Sequence, residues 1–380
     1  MKDGIKKRIR VAVLYGGRSG EHEVSLQSAA SVIRNLDASR YEVIPVAIDK
    51  SGRWLFHNLS QIDQNSKSLP VRLDAPQVVL SSGHPHGEAS LMQLSSQGSF
   101  IQPVDVVFPV IHGPLCEDGT IQGLLEIADV PYVGCGVLSS AIGMDKDVAK
   151  RMIRDAGLPI VPYVAVKTDA WKKTPVTVIE KIESELGFPV FVKPANQGSS
   201  VGVHKVKDSS GLNAALDDAF RYDVKVLVEK AIQAREIEIS VLENLNDGLQ
   251  PLVSIPGEIA PSHEFYSYEA KYLDENGAAL MIPAELSAEN RAIAQKIAFE
   301  AFLALECEGL ARVDLFLDKK TGQYYFNEVN TIPGFTSISM YPKLWEATQL
   351  KYRELLSRLI DLALMRYSRK KALLREFVLN

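Results

Sequence analysis

Arg312, Asp314, Glu328 and Asn330 are the residues whose types and spacing most directly suggest chemistry. Two apolar-rich runs, Ala311–Leu317 and Gln323–Val329, flank a turn of Asp, Lys, Thr and Gly, which predicts a β-hairpin. Alternate side chains of a strand share a face, so Arg312 lies with Asp314 and Glu328 with Asn330. A turn of this length sets the four residues against one another, giving hard oxygen donors beside a guanidinium. Such a set suits magnesium, which takes carboxylates and polyphosphate oxygens, better than zinc, which prefers His and Cys. The competing interpretation is a solvated polar face on a surface hairpin. The Pro333-Gly334 turn and the Thr336-Ser337 pair that follow favour a site.

Two loops could serve a phosphate-bearing ligand. Lys193–Gly202, KPANQGSSVG, combines glycines that expose backbone N–H groups, two hydroxyls and a lysine. It does not fit the G-x-x-x-x-G-K-[ST] pattern, because the lysine precedes the glycines and strands flank both sides. Gly16–Ser25, GGRSGEHEVS, joins a strand to a helix but fails the dinucleotide spacing G-x-G-x-x-G. Its Glu21 and Glu23 suit a cationic group such as an amine, or simply cap the helix. Among the histidines, His112 is best placed, before Gly113 at a strand end, since such loops form ligand crevices in α/β sheets. His22, His57, His204 and His263 read as structural or exposed, and His84 and His86 as surface residues.

These residues must be positioned by more than one core. A chain of 380 residues calls for two or three domains of roughly 100–150 residues. The opening alternates strand and helix, with strands at Arg10–Tyr15, Glu42–Ile48 and Val104–Val110 and a helix at Val24–Leu36, the grammar of a parallel α/β layer. Residues 58–102 form an excursion with short strands. Further helices are expected at Ile121–Ala128, Ala141–Ala156 and Ala288–Leu305, with one long helix from about Pro342 to the end. Strands are expected at Phe188–Lys193, Val203–Val206, Val224–Glu229, Glu236–Leu242 and Pro251–Ile255. A net charge of −5 gives no case for nucleic acid or anionic membrane. The basic cluster Arg369–Lys371 complements a helix C-terminus. Three scattered cysteines, Cys116, Cys135 and Cys307, fit a reducing compartment, and no apolar run approaches the ~20 residues of a membrane span. A cytoplasmic protein is expected.

In order along the chain, GGRSGEHEVSLQS (Gly16–Ser28), HGPLCEDGTIQG (His112–Gly123), MDK (Met144–Lys146), FVKPANQGSSVG (Phe191–Gly202), YSYEAKY (Tyr266–Tyr272), ARVDLF and NEVNTIPGFTSIS closely resemble the D-alanine:D-alanine ligases of the ATP-grasp superfamily. The resemblance runs almost end to end. It implies a mixed α/β ATP-grasp fold of three domains: 1–134 for substrate, 135–233 central, and 234–380 C-terminal with metal site and closing loop. ATP would lie between the last two. Lys146 and Lys193 would contact its phosphates under a flap carrying Ser199 and Ser200. Glu229, Lys230 and Ile232 would line the adenine pocket, Glu236 would hold the ribose, and Lys271 and Asn327 would add nucleotide contacts. Asp314, Glu328 and Asn330 would bind two magnesium or manganese ions. Glu21 would hold the first D-alanine amine and His112 would lie near its carboxylate. Arg312 and the Gly334 amide would face the oxyanion, and Ser339 the second D-alanine carboxylate. Tyr268, Lys271 and Tyr272 would belong to the closing loop, where Tyr272 favours a dipeptide product over the D-alanine:D-lactate alternative. Cys116 stands where relatives usually place glycine. The resemblance further implies a homodimer and peptidoglycan synthesis as the destination of the product, while the net charge leaves no nucleic-acid or membrane partner expected.

Overall fold

The computed structural model describes residues 7–63, 65–82, 89–94, 101–246, 248–261, 278–336 and 338–374. Strand Ile9–Gly16 lies between Tyr41–Ile48 and Val106–Pro109, parallel to both, with Trp54–Phe56 added antiparallel at the edge. An interior parallel strand is covered on both faces, and after Arg10, which pairs with Asp105, VAVLYG is accordingly a continuous apolar run, buried throughout. The 58–102 excursion does carry short strands, Val78–Ser81, Ser90–Gln93 and Ile101–Pro103, paired as an antiparallel meander.

A second sheet, antiparallel, orders His204–Val206, Val190–Pro194, Lys225–Lys230 and Tyr163–Lys167. Helices Pro175–Leu186 and Leu212–Ala219 cover it, with Ile182, Leu186, Leu212 and Leu216 in a core with Val190, Val192 and Val228. The third sheet is built around Ala234–Leu242 and the hairpin Leu310–Asp318/Tyr324–Asn330, extended by Gly257–Pro261 and Ala278–Met281. Helix Ala288–Ala304 buries Ala294, Ala298, Ala301 and Phe302 against it.

Two expected helices are each broken. Ala141–Ala156 is instead Val137–Met144 followed by Lys146–Asp155. Between them Asp145 is extended and its side chain accepts from the Asp147 and Val148 amides, so it starts a new helix rather than continuing the old one. The long C-terminal helix is two, Met340–Ala347 and Tyr352–Lys371, parted where Gln349 takes a φ of 69°. The last helix turns back onto the first sheet: Leu355, Leu359 and Ile360 share one core with Val11, Val13, Tyr15 and Phe108. Its Arg366 is buried and donates to the Tyr132 carbonyl at 2.7 Å. The basic cluster does sit in its last turn, each member in an ion pair: Arg369 with Glu243, Lys370 with Glu126, and Lys371 with Asp129. Among the described residues no helix is long and apolar enough to cross a membrane.

Candidate active site

The hairpin pairs Arg312 with Asn330 and Asp314 with Glu328 directly across the strands, and a bulge follows at Asp314/Leu315. Sequence alternation and structure agree on this face. Arg312 grips Asp314 through two bonds, Nε to Oδ1 at 2.7 Å and Nη2 to Oδ2 at 2.8 Å, and its Nε lies 3.0 Å from Glu238 Oε2 on the neighbouring strand. Asn330 Nδ2 donates to Asp314 Oδ2 at 2.9 Å. Burial works against the Arg312 charge, yet Asp314 and Glu238 outweigh it and hold its pKa well above the ordinary value.

Arg312, Asp314 and Glu328 of this face, without Asn330, form one wall of a cleft of about 630 Å³ between the second and third sheets. Lys146, Lys193, Ser199, Ser200, Glu229, Lys230, Ile232, Glu236, Asn327 and Glu328 all line it, together with Arg312 and Asp314. Phe191, Ile259 and Phe316 supply an apolar lining suited to a flat ring. Lys146 Nζ reaches Glu328 Oε2 at 3.1 Å and the Gln197 carbonyl at 2.8 Å, tying the glycine-serine loop to the hairpin. In that loop Ser199 and Ser200 take consecutive positive φ values of 52° and 60°, a conformation uncommon for serine. Lys193 Nζ lies 2.7 Å from Glu229 Oε2 and 3.5 Å from Asn327 Oδ1. Burial pushes the Glu229 carboxyl up, but Lys150 and Lys193 outweigh it and leave its pKa below the usual value.

Glu21, in the turn between the first strand and helix His22–Asn35, is joined to the cleft through the glycine-serine loop. It occupies the N-cap position of that helix, its charge at the helix N-terminus but without a side-chain cap bond, whereas Glu23 in the first turn pairs with Lys50 at 2.7 Å. The Glu21 carboxylate accepts a hydrogen bond from Ser199. Glycines approach it on both sides: a Cβ would fall 2.7 Å from Glu21 Oε2 at Gly113, which also takes a φ of 78°, and 2.9 Å at Gly198, so a side chain at either would displace the carboxylate. Nearby, buried His112 places Nε2 3.1 Å from Ser28 Oγ and Nδ1 3.0 Å from the Ile332 carbonyl, bridging the first sheet to the segment after the hairpin. A Cβ on Gly334 would lie 2.8 Å from Ser339 Oγ, and Ser339 precedes helix Met340–Ala347. Cys116 is buried against Ile111, and the positive φ values of its loop fall on Gly113, Leu115 and Gly119, so a cysteine sits there without backbone strain.

Family models describe the same layout: the D-ala D-ala ligase N-terminus matches residues 10–135 and the D-ala D-ala ligase C-terminus matches 152–361. The chain belongs to the D-alanine–D-alanine ligase family. A D-alanine–D-alanine ligase A of Bradyrhizobium diazoefficiens is 56% identical over 97% of this chain and 99% of its own. The structure of the D-alanine–D-alanine ligase from Coxiella burnetii superposes with a TM-score of 0.78 at 34% identity, covering 96% of this chain and 97% of that one. VanG D-Ala:D-Ser ligase from Enterococcus faecalis gives 0.80 at 35% identity, covering 94% and 100%. The fold is accordingly the ATP-grasp fold of these ligases.

In this family member the hairpin donors are two carboxylates and an amide, without His or Cys, which fits a hard divalent cation. Among the described residues no three His, Cys, Asp or Glu side chains gather at one point, so such a cation would draw its remaining ligands from the amide, phosphates and water. Tyr268, Lys271 and Tyr272 lie outside the described residues, as do His84, His86 and His263. The structural histidines behave as expected: His22 bonds the Gly17 carbonyl at 2.7 Å, His57 contacts Tyr15 Oη at 3.0 Å, and His204 pairs with Asp218 at 2.8 Å. Sequence reading missed Lys150, Glu238, Ser28 and Glu117. For Lys150 the only signal was its place one helical turn after Lys146.

Proposed function

We propose that the protein joins two D-alanine molecules into D-alanyl-D-alanine for peptidoglycan synthesis, converting ATP to ADP and phosphate. The chain would work as three units, 1–134, 135–233 and 234–380, with the nucleotide between the last two. A carboxylate does not acylate an amine unaided, because its oxide is a poor leaving group. One carboxylate oxygen of the first D-alanine attacks the γ-phosphorus, the bond to the bridging oxygen breaks, and ADP leaves behind an acyl phosphate. The amine of the second D-alanine then attacks the acyl carbon, loses a proton, and phosphate departs.

Lys146 and Lys193 neutralise the phosphates beneath the Ser199–Ser200 loop, with Lys271 and Asn327 completing the nucleotide contacts. Glu229, Lys230, Ile232 and Glu236 receive the base and ribose. Glu21 orients the first amine, His112 lies by its carboxylate, Arg312 and the Gly334 amide face the oxyanion, and Ser339 meets the second carboxylate. Asp314, Glu328 and Asn330 would hold two magnesium or manganese ions, which when bound offset charge on the phosphates. The homodimer and the cytoplasmic setting belong to the same proposal, the first supported by the resemblance and the second by three scattered cysteines that fit a reducing compartment.

The observation that carries this proposal is the cleft itself, where lysines, the glycine-serine loop and the hairpin carboxylates converge while Ser199 ties in Glu21. Mass spectrometry of products from ATP with D-alanine, L-alanine, D-serine or D-lactate tests it. D-Alanyl-D-alanine as the main product is expected. A depsipeptide would establish the D-alanine:D-lactate alternative, and absence of any ATP-dependent product would overturn the ligase assignment.

A further inference from the structure

We propose that Lys150, which does not line the cleft, is a positioning residue: a second counter-ion for Glu229 that lets Lys193 move onto nucleotide phosphate. The inference rests on the nucleotide reading of the cleft given above. Glu229 is buried at 3% exposure, and its Oε2 lies between two ammonium groups, Lys193 at 2.7 Å and Lys150 at 3.3 Å. The two lysines are not equivalent. Lys193 faces the cleft, whereas Lys150 is wholly buried on helix Lys146–Asp155 and also donates to the Phe326 carbonyl at 3.3 Å.

A buried carboxylate that loses its only cation is an uncompensated charge, and that cost would oppose any departure of Lys193. With Lys150 fixed behind it, Glu229 keeps a partner when Lys193 turns towards an anion. The helix therefore presents Lys146 directly to the phosphates and, one turn on, Lys150 to the group that would otherwise retain the other lysine. Removing Lys150 should weaken ligands in proportion to their phosphate charge and leave the nucleoside part largely unaffected.

The test measures ADP and adenosine binding by calorimetry with magnesium, for the wild type, Lys150→Met, Glu229→Gln and the double variant. In Lys150→Met, ADP should weaken about tenfold or more while adenosine changes by less than about twofold. In the Glu229→Gln background, with no carboxylate to hold Lys193, the same substitution should alter ADP binding by less than about threefold. Equal weakening of ADP and adenosine, or unchanged ADP binding, would overturn the proposal. Should Lys150→Met not fold, a tenfold loss of ADP binding between Glu229→Gln and the double variant would overturn it too. A wild type that does not bind ADP sinks the nucleotide reading itself, an outcome distinct from any of these.

Discussion

Ser199 donates a hydrogen bond to the carboxylate of Glu21, 178 residues earlier in the chain. One end of the phosphate loop is thereby fastened to the group assigned to the first substrate's amine, so nucleotide and amino-acid sites share a contact. Glu21→Gln keeps the shape and removes the charge. Its D-alanine KM at the first subsite should rise about 10- to 100-fold, the range of a charge-assisted hydrogen bond, with ATP binding little changed. Steady-state kinetics over a wide D-alanine range would show this, and an unchanged KM would remove Glu21 from the substrate site.

Arg312→Ala and Glu328→Ala should each suppress D-alanine-dependent ADP release. Loss of an oxyanion donor alone is worth about 10²–10³ in turnover. Circular dichroism should show the fold retained. Near-normal turnover in either variant would refute the assignment of the hairpin face.

Removal of divalent cation by a chelator should abolish ADP release, and magnesium or manganese should restore it. Activity that survives exhaustive chelation would show that Asp314, Glu328 and Asn330 serve as an ion-pair network only.

Stability should fall as pH rises through the titration of the His112–Glu117 pair. Burial opposes charge on His112, but its contact with Glu117 at 3.6 Å, together with Glu21 and the Ile332 carbonyl, raises its pKa above the ordinary 6.5. A raised histidine contributes stability in full below its unfolded value and loses it as pH climbs through the folded one. Burial raises the Glu117 carboxyl, which acts in the same direction. Urea unfolding of the wild type and His112→Gln across pH should show the difference between them shrinking towards alkaline pH. A difference that grows instead would reject this.

Leu216→Ala, in the core of the second sheet at 0% exposure, should cost about 2–5 kcal/mol by urea titration. Activity per folded molecule should stay close to wild type, because Leu216 lies outside the cleft lining. A loss below 1 kcal/mol, on the order of an exposed-site change, would contradict its burial.

The hairpin face was readable from the residues because strand alternation is local, and four side chains obeying it need no knowledge of the rest of the fold. The break at Asp145 was not, since the apolar spacing runs on through a residue whose side chain caps the next helix. Lys150 escaped for a related reason: a lysine on a helix normally marks a solvated face, and it is the approach of Glu229 and the Phe326 carbonyl from two distant strands that makes it a core residue. Strand Tyr163–Lys167 and helices Thr168–Lys173, Pro175–Leu186 and Leu212–Ala219 were also missed, their apolar positions being diluted by charge. The meeting of Glu21 with Ser199 is a product of tertiary packing, and nothing in the spacing of the two residues could have announced it.

Because helix Tyr352–Lys371 completes the core of the first sheet, the opening strands cannot reach their final packing when they leave the ribosome. Arg366 reaches the Tyr132 carbonyl from 234 positions downstream, so this junction too waits for that helix. Until that helix arrives, Val11, Val13 and Tyr15 lack part of their cover. Quality control during translation would meet this protein as a partly open sheet, with the second sheet already able to close on its own helices.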